Sequence, residues 1–291
     1  MVHWCVLVAL LVPLDPVSPP LTPQPPIPPG ARGREEGLTP QPVPLTPQPV
    51  PLTPQPPLPP GERGREERAP REVILRAIEA HGGMKRLSQA RADRVRLQGT
   101  LYVGKEGVPF TAQTTVQLPG QYKNEMKMTV AGRTHTIVQV LDGGTARVWH
   151  NGVLRNLPAQ AAAEIQATLR LHRAIRLVPL LHDSSFRLRL LEPTTLQGRT
   201  ILGVEVKEGT RSLNLYFDQQ TGLLTKSEHR LASAGDQMVL QEHYYGDFKD
   251  LGGYLRPTRV VAFRNGRKLL EAQLIDVKYF TRIDPREFQG P

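Results

Sequence analysis

Eight histidines, at positions 3, 81, 135, 150, 172, 182, 229 and 243, are the side chains best suited to hold a metal or move a proton near neutral pH. No two lie three to five residues apart, the spacing that puts a pair of imidazoles on one ion. His172 and His182 flank a helix end but are ten residues apart, on different faces. Glu242, His243 and Asp247, in EHYYGDF, would make an acid–base set if they converged. In a strand, Glu242 and His243 point to opposite faces, so the segment reads as a solvated strand with a Tyr pair at the sheet edge. GARGREEG has the glycines of a phosphate loop, but it follows no strand and opens no helix. HExxH, GxSxG, P-loop and EF-hand patterns are missing. Cys5 is the single cysteine, which excludes an intramolecular disulfide and any cysteine metal site. No catalytic signature survives, and no metal site is expected.

With so little local chemistry, the elements themselves carry the reading. Of the 29 prolines, 21 lie in residues 1–70, so this part cannot share a fold with the rest. WCVLVALLVPL, Trp4 to Leu14, has the length of a signal-peptide core and is too short to span a bilayer. Residues 1–18 are expected to be a signal peptide, with Val17-Ser18 as the nearest cleavage option. Residues 19–70 carry LTPQP at Leu21, Leu38, Leu45 and Leu52, and are expected to be a disordered, semi-rigid linker. Arg and Glu balance within that linker, and Asp15 is the one other formal side-chain charge before residue 71. The net charge of +10 therefore leaves +11 on residues 71–291. The lysines and arginines are spread over many strands and aromatics are few, which argues against nucleic acid. An anionic membrane surface or an acidic protein partner fits that charge.

From residue 71 the pattern changes. REVILRAIEA places Val73, Ile74, Ala77 and Ile78 on one helical face, and Gly82-Gly83 ends the helix after His81. His81 reads as a C-terminal residue favoured by the helix dipole. Residues 159–178 predict a second long helix, with Ile165, Leu169, Ile175 and Val178 in a stripe and Pro179 as its stop. Between and after these run about a dozen strands of period two, joined by short turns. Val95, Leu97 and Leu101 share a face, as do Phe110 with Val116, and Met126 with Met128. Leu213, Leu215 and Phe217 form the apolar face of LNLYFDQQTGLL, a hairpin whose turn ends in Gly222.

This predicts a mainly β (α+β) fold. Two helices of roughly 12 and 20 residues, at about 1.5 Å per residue, cover only part of so large an antiparallel sheet. The sheet must close on itself, or curl around the helices and leave an apolar cavity. The candidate cavity wall is Val95, Leu97, Leu101, Phe110, Val116, Met126, Met128, Trp149, Leu169, Leu213, Leu215 and Phe217. Each is equally an ordinary core residue by type. Trp149 reads as a cavity wall or a core anchor, and the Met pair as adaptable lining or plain packing.

The order of motifs is informative. AHGG, DGGTARVW, a midway helix, LYFDQQTGLL, HYYGDF, YLRPT and IDPREF follow one another between residues 71 and 291. This succession resembles the LolA/LolB-like domains of outer-membrane lipoprotein carriers, in their divergent lipoprotein-sorting-like branch. The resemblance implies a curved antiparallel half-barrel with helices over its concave face. It implies a periplasmic, non-enzymatic carrier that holds acyl chains of a lipoprotein or lipid, without a cofactor; the chain is expected to be a monomer. The same fold also implies an alternative, an envelope sensor or protein-interaction module with a filled core and a membrane-protein partner.

Overall fold

The computed structural model describes residues 60–104, 106–232 and 238–291, with side chains from residue 68 onward. The expected signal peptide and most of the proline-rich linker lie outside these residues. Helix α1 spans Pro60–Ala80, so it starts about ten residues before the expected boundary and carries Pro70 in its interior. Proline density alone placed residues 60–70 in the linker. A proline is well suited to open a helix, and an interior one removes a single backbone bond that tertiary packing can offset.

Ile74, Ala77 and Ile78 of α1 are fully buried. The helix ends where Gly83 N–H reaches Ile78 O at 2.9 Å, with Gly82 and Gly83 at φ of 126° and 86°. A Cβ on Gly82 would overlap Gly253 O, so that turn also needs glycine for space. The short α2, Met84–Gln89, follows.

The strands form one 14-stranded sheet in the order β6-β5-β4-β3-β2-β1-β14-β13-β12-β11-β10-β9-β7, with β8 beside β9. Its first half is β1 (Ala92–Val103), β2 (Glu106–Gln117), β3 (Gln121–Val130), β4 (Arg133–Asp142), β5 (Thr145–His150) and β6 (Val153–Arg155). Helices α3 (Ala159–Ile175) and α4 (Val178–His182) cross to the second half. That half is β7 (Phe186–Leu190), β8 (Thr194–Leu196), β9 (Arg199–Glu208), β10 (Arg211–Asp218), β11 (Leu224–Ala232), β12 (Met238–Asp250), β13 (Leu255–Arg264) and β14 (Arg267–Phe280). All pairings are antiparallel, and the seam joins the first strand to the last, Val95 opposite Val277. The two rims, β6 and β7, do not meet. The sheet is therefore open.

It curls because both halves reach one helix. Tyr122 of β3 stacks on His172 of α3 at 5.6 Å, while Arg264 of β13 pairs with Glu164 of α3 at 3.0 Å. Register shifts at Arg96/Leu97, Tyr216/Phe217 and Ala262/Phe263 add local twist. Pro179 does not simply stop α3. The chain breaks at Leu177, which is buried at a φ of 66°, and Pro179 lies in the first turn of α4.

Gly99 sits at the seam. A Cβ there would overlap Glu271 O and come within 2.7 Å of Ala272 Cα. Gly99→Ala is expected to destabilise the fold by about 1–3 kcal/mol through backbone displacement. Urea unfolding checks it, and an unchanged midpoint would mean the two strands part freely.

Candidate functional site

Alternation decides what lines the concave face. Val95, Leu97, Leu101, Phe110, Val116, Met126, Met128, Leu169, Leu213, Leu215 and Phe217 all join one apolar cluster, each no more than 9% exposed. Side chains of α1, α3 and α4 pack into the same cluster. Strands β1–β3, strand β10 and helix α3 thus deliver eleven of the twelve candidates to a single interior.

Trp149 is the exception. Val148 takes the inward position of β5, and Trp149 faces the outer side opposite Val138. There it packs on a second cluster of Ala92, Val138, Val140, Ile283 and Phe288. The C-terminal 3-10 turn Pro285–Phe288 supplies this outer cover, and Gly290 lies against the indole ring. Trp149 is a core anchor of the outer face and no part of the concave wall.

A trough of about 670 Å³ crosses β14, β1, β2, β3 and β4. Pro109, Thr111, Lys127 and Thr129 line it and are exposed. They alternate with Phe110 and Met128, which are 4% and 3% exposed. The trough therefore lies on the outer face, away from the apolar interior.

The interior is not uniformly apolar. Ser227 and His229 of β11, and Gln241, His243 and Tyr245 of β12, share the inward parity of Leu213 and Leu215 and are buried. Ser227 Oγ lies 2.8 Å from Tyr245 OH and 3.4 Å from His243 Nδ1. Gln241 Nε2 lies 3.3 Å from His243 Nε2, and Gln241 Oε1 accepts from Arg264 Nη2 at 3.4 Å. Arg264 continues to the buried Glu164 of α3. The chain thus runs from a tyrosine hydroxyl, through a neutral imidazole, to an ion pair on the covering helix. His229 stacks on His243 at 6.0 Å, yet neither of its ring nitrogens has a hydrogen-bond partner among the described residues. Burial, with Arg170 and Arg264 nearby, pushes His229 down to about 4. Burial and then His229 push His243 down to about 3. Both rings are neutral at pH 7.

Helix α3 is held unevenly over this interior. At its N-terminal half, Gln160 Nε2 donates to Ala232 O at 3.1 Å, Glu164 pairs with Arg264, and Ala167 packs with Leu231 and Val239. Just past its C-terminal end stands a buried ionic triad. Asp93 of β1, fully buried, accepts from Arg176 Nη2 and Arg256 Nη2 at 2.8 Å each. Arg176 also donates to Ala90 O at 2.7 Å. Beside the two arginines, His81 and Tyr279 line a hollow of about 20 Å³, room for about one water.

His81 differs from its sequence reading. It is 1% exposed, and burial lowers its pKa, so it is not a charge answering the helix dipole. Nδ1 lies 2.7 Å from Ala77 O, and Nε2 accepts from Leu224 N–H at 3.4 Å. The neutral ring ties α1 to the β10–β11 hairpin. Glu242 and His243 do face opposite sides, Glu242 pairing with Lys226 at 2.8 Å on the outer face. Strand β12, however, lies between β11 and β13, so its Tyr244-Tyr245 pair is inside the sheet and not at an edge.

No group of three or more His, Cys, Asp or Glu among the described residues could hold a metal ion. No described helix is long and apolar enough to cross a membrane.

The chain is thus an open antiparallel half-barrel with helices packed into its concave side. Its structural neighbours are DUF1329 and LolA-superfamily proteins, in agreement with the motif order. A DUF1329 family protein from Desulfovibrio piger superposes with a TM-score of 0.51 at 9% identity, over 77% of this chain and 97% of that one. A LolA superfamily protein from Nitrosomonas europaea gives 0.49 at 13% identity, over 76% and 97%. An outer membrane lipoprotein-sorting protein domain from Vibrio parahaemolyticus gives 0.47 at 10%, over 77% and 97%. Identities this low speak to fold alone, and the two overlays below 0.5 carry no further argument. No family model matches the sequence, and neither does any curated protein.

Proposed function

We propose that the chain is an exported, non-enzymatic carrier that holds acyl chains of a lipid or lipoprotein between its concave sheet face and α3. The observation that carries this reading is the uneven fastening of α3 over an apolar wall drawn from both halves of the sheet. The N-terminal half of the helix rests on one ion pair, side-chain hydrogen bonds, a cluster of three apolar residues and Ile165 in the main cluster, with no buried ionic triad of its own. Its C-terminal end is fixed by the Asp93 triad. Lifting α3 about that end would expose Leu213, Leu215 and their neighbours, and an acyl chain would take the place of Ile165 and Leu169. Each buried methylene contributes about 0.8 kcal/mol, so a chain of roughly a dozen carbons would contribute about 10 kcal/mol toward the opening without any covalent chemistry. The expected signal segment, Trp4 to Leu14, is consistent with an exported protein.

The close packing of α3 on that wall favours a second reading, a sensor or protein-interaction module whose interior stays filled. Native mass spectrometry separates the two. Full-length protein purified without detergent from a membrane-bearing host should carry acylated species at near-stoichiometric amounts. A clean apo mass, with no lipid in the solvent extract and no uptake on adding lipid, would favour the interaction module.

A further inference from the structure

The mouth between α3 and the β9–β10 hairpin carries cations in excess of anions. Arg173 of α3 is already committed, to Asp183 and to Glu208. Arg170, one turn back toward the N-terminus, is half-buried and makes no ion pair among the described residues, and neither does the exposed Arg211. Burial first, and then Arg211, push Arg170 down to about 10, with Glu208 acting in the opposite direction. Ala167, three residues before Arg170 on the helix, packs on Leu231, two residues past His229 on β11, so this turn of α3 lies over that imidazole, whose two ring nitrogens have no partner among the described residues and on which Arg170 and Arg264 both act electrostatically. Arg264 is answered by Glu164. Together, Arg170, Arg173, Arg211 and Arg264 face Asp183, Glu208 and Glu164, which leaves one positive charge over. The one anion acting on Arg170 is Glu208, which is already paired with Arg173, and a part-buried guanidinium sharing its anion near a buried imidazole without a partner is costly for a fold that binds nothing there. It suits one anionic group, which would accept from Arg170 and from an N–H of His229.

We propose that Arg170 and His229 form an anion subsite at the mouth of the half-barrel, so that the cargo is an anionic amphiphile, with a carboxylate or phosphate here and its chain on the apolar wall. This rests on the carrier reading. The neutral ladder of Ser227, Gln241, His243 and Tyr245 then forms the floor of the site, and Arg211 guides the head group from outside.

The test uses full-length, delipidated protein and three probes of one chain length: hexadecanoate, hexadecyl phosphate and hexadecanol, each displacing a fluorescent apolar dye at pH 7. The wild type should bind at least one of the two anions tenfold or more tighter than hexadecanol. Arg170→Gln and, separately, His229→Leu should each bring that ratio down to within about threefold of unity. Arg170 is less buried than His229, so its variant stays informative even if His229→Leu fails to fold. A preference for hexadecanoate assigns a carboxylate and one for hexadecyl phosphate a phosphate; both support the subsite. Equal binding of all three probes by the wild type, or a ratio that survives both substitutions, overturns the subsite while leaving the carrier standing. Binding of none of the three overturns the carrier reading and the subsite with it.

Discussion

Asp93→Ala is expected to destabilise the protein by about 3–5 kcal/mol, enough to unfold a marginally stable domain. Asp93 is fully buried and is the shared anion of Arg176 and Arg256, themselves 7% and 5% exposed. Removing it strands two guanidinium groups in an interior that already lowers the pKa of Arg256 by burial. Neither can retreat. Arg176 is bonded to Ala90 O, and Arg256 lies over the Tyr279 ring at 5.2 Å, which itself stacks on Tyr254 at 4.1 Å. The loss should fall hardest on α3, because Arg176 is the residue that caps it. Urea unfolding gives the number. A second variant isolates the cause: Asp93→Asn with Arg176→Met removes one cation along with the anion and should recover a large part of the loss. A cost below about 1 kcal/mol for Asp93→Ala would show that the triad is not what fixes that end of the helix.

Lowering the pH from 7 toward 4 is expected to destabilise the fold, and the histidines set the window. His229 and His243 stay neutral when folded, at about 4 and about 3, whereas an unfolded imidazole titrates near 6.5. The unfolded chain therefore binds more protons throughout that interval. The stability these rings confer is fully present above 6.5 and is lost as pH falls toward the folded values. For His229 alone the full loss is roughly 3 kcal/mol. His81, also lowered by burial, adds in the same direction. Carboxylates held low, such as Asp218 and Glu228, act only at lower pH, below the ordinary carboxylate range. Unfolding midpoints at pH 7, 5.5 and 4.5 should fall steadily in the wild type. His229→Leu should flatten that slope, since leucine fills the site without a titrating group. A slope unchanged by the substitution would mean His229 is not the group that resists charge.

The rule that placed the apolar wall also explains what stayed hidden. Alternation put Val95, Leu97, Leu101, Leu213, Leu215 and Phe217 on one face, and they share one interior. The same parity holds Ser227, His229, Gln241 and His243 on that face, but their polar side chains read as solvent-facing when taken strand by strand. Only pairing with Leu213 and coverage by α3 bury them. Trp149, which read equally as cavity wall or core anchor, is the anchor. Its type could not decide between the two, because the outer cluster it anchors is completed by Ile283 and Phe288, more than 130 residues away. The triad joins residues 83 and 163 positions apart, a separation over which no local pattern operates. Helix α1 ran past its expected start because proline content measures the unfolded preference of a segment and not the packing of Ile74, Ala77 and Ile78 beyond it.

The central claim is that an acyl chain lies beneath α3 against the inner face of the sheet. Photolabelling tests it most directly. Full-length protein equilibrated with a diazirine-bearing hexadecanoate would be irradiated, digested and sequenced by mass spectrometry. Adducts are expected on the inward residues Met126, Leu169, Leu213 and Leu215, with loss of labelling when unlabelled hexadecanoate competes. Labelling confined to the outer trough around Thr111 and Lys127, or none that competes, would contradict the claim.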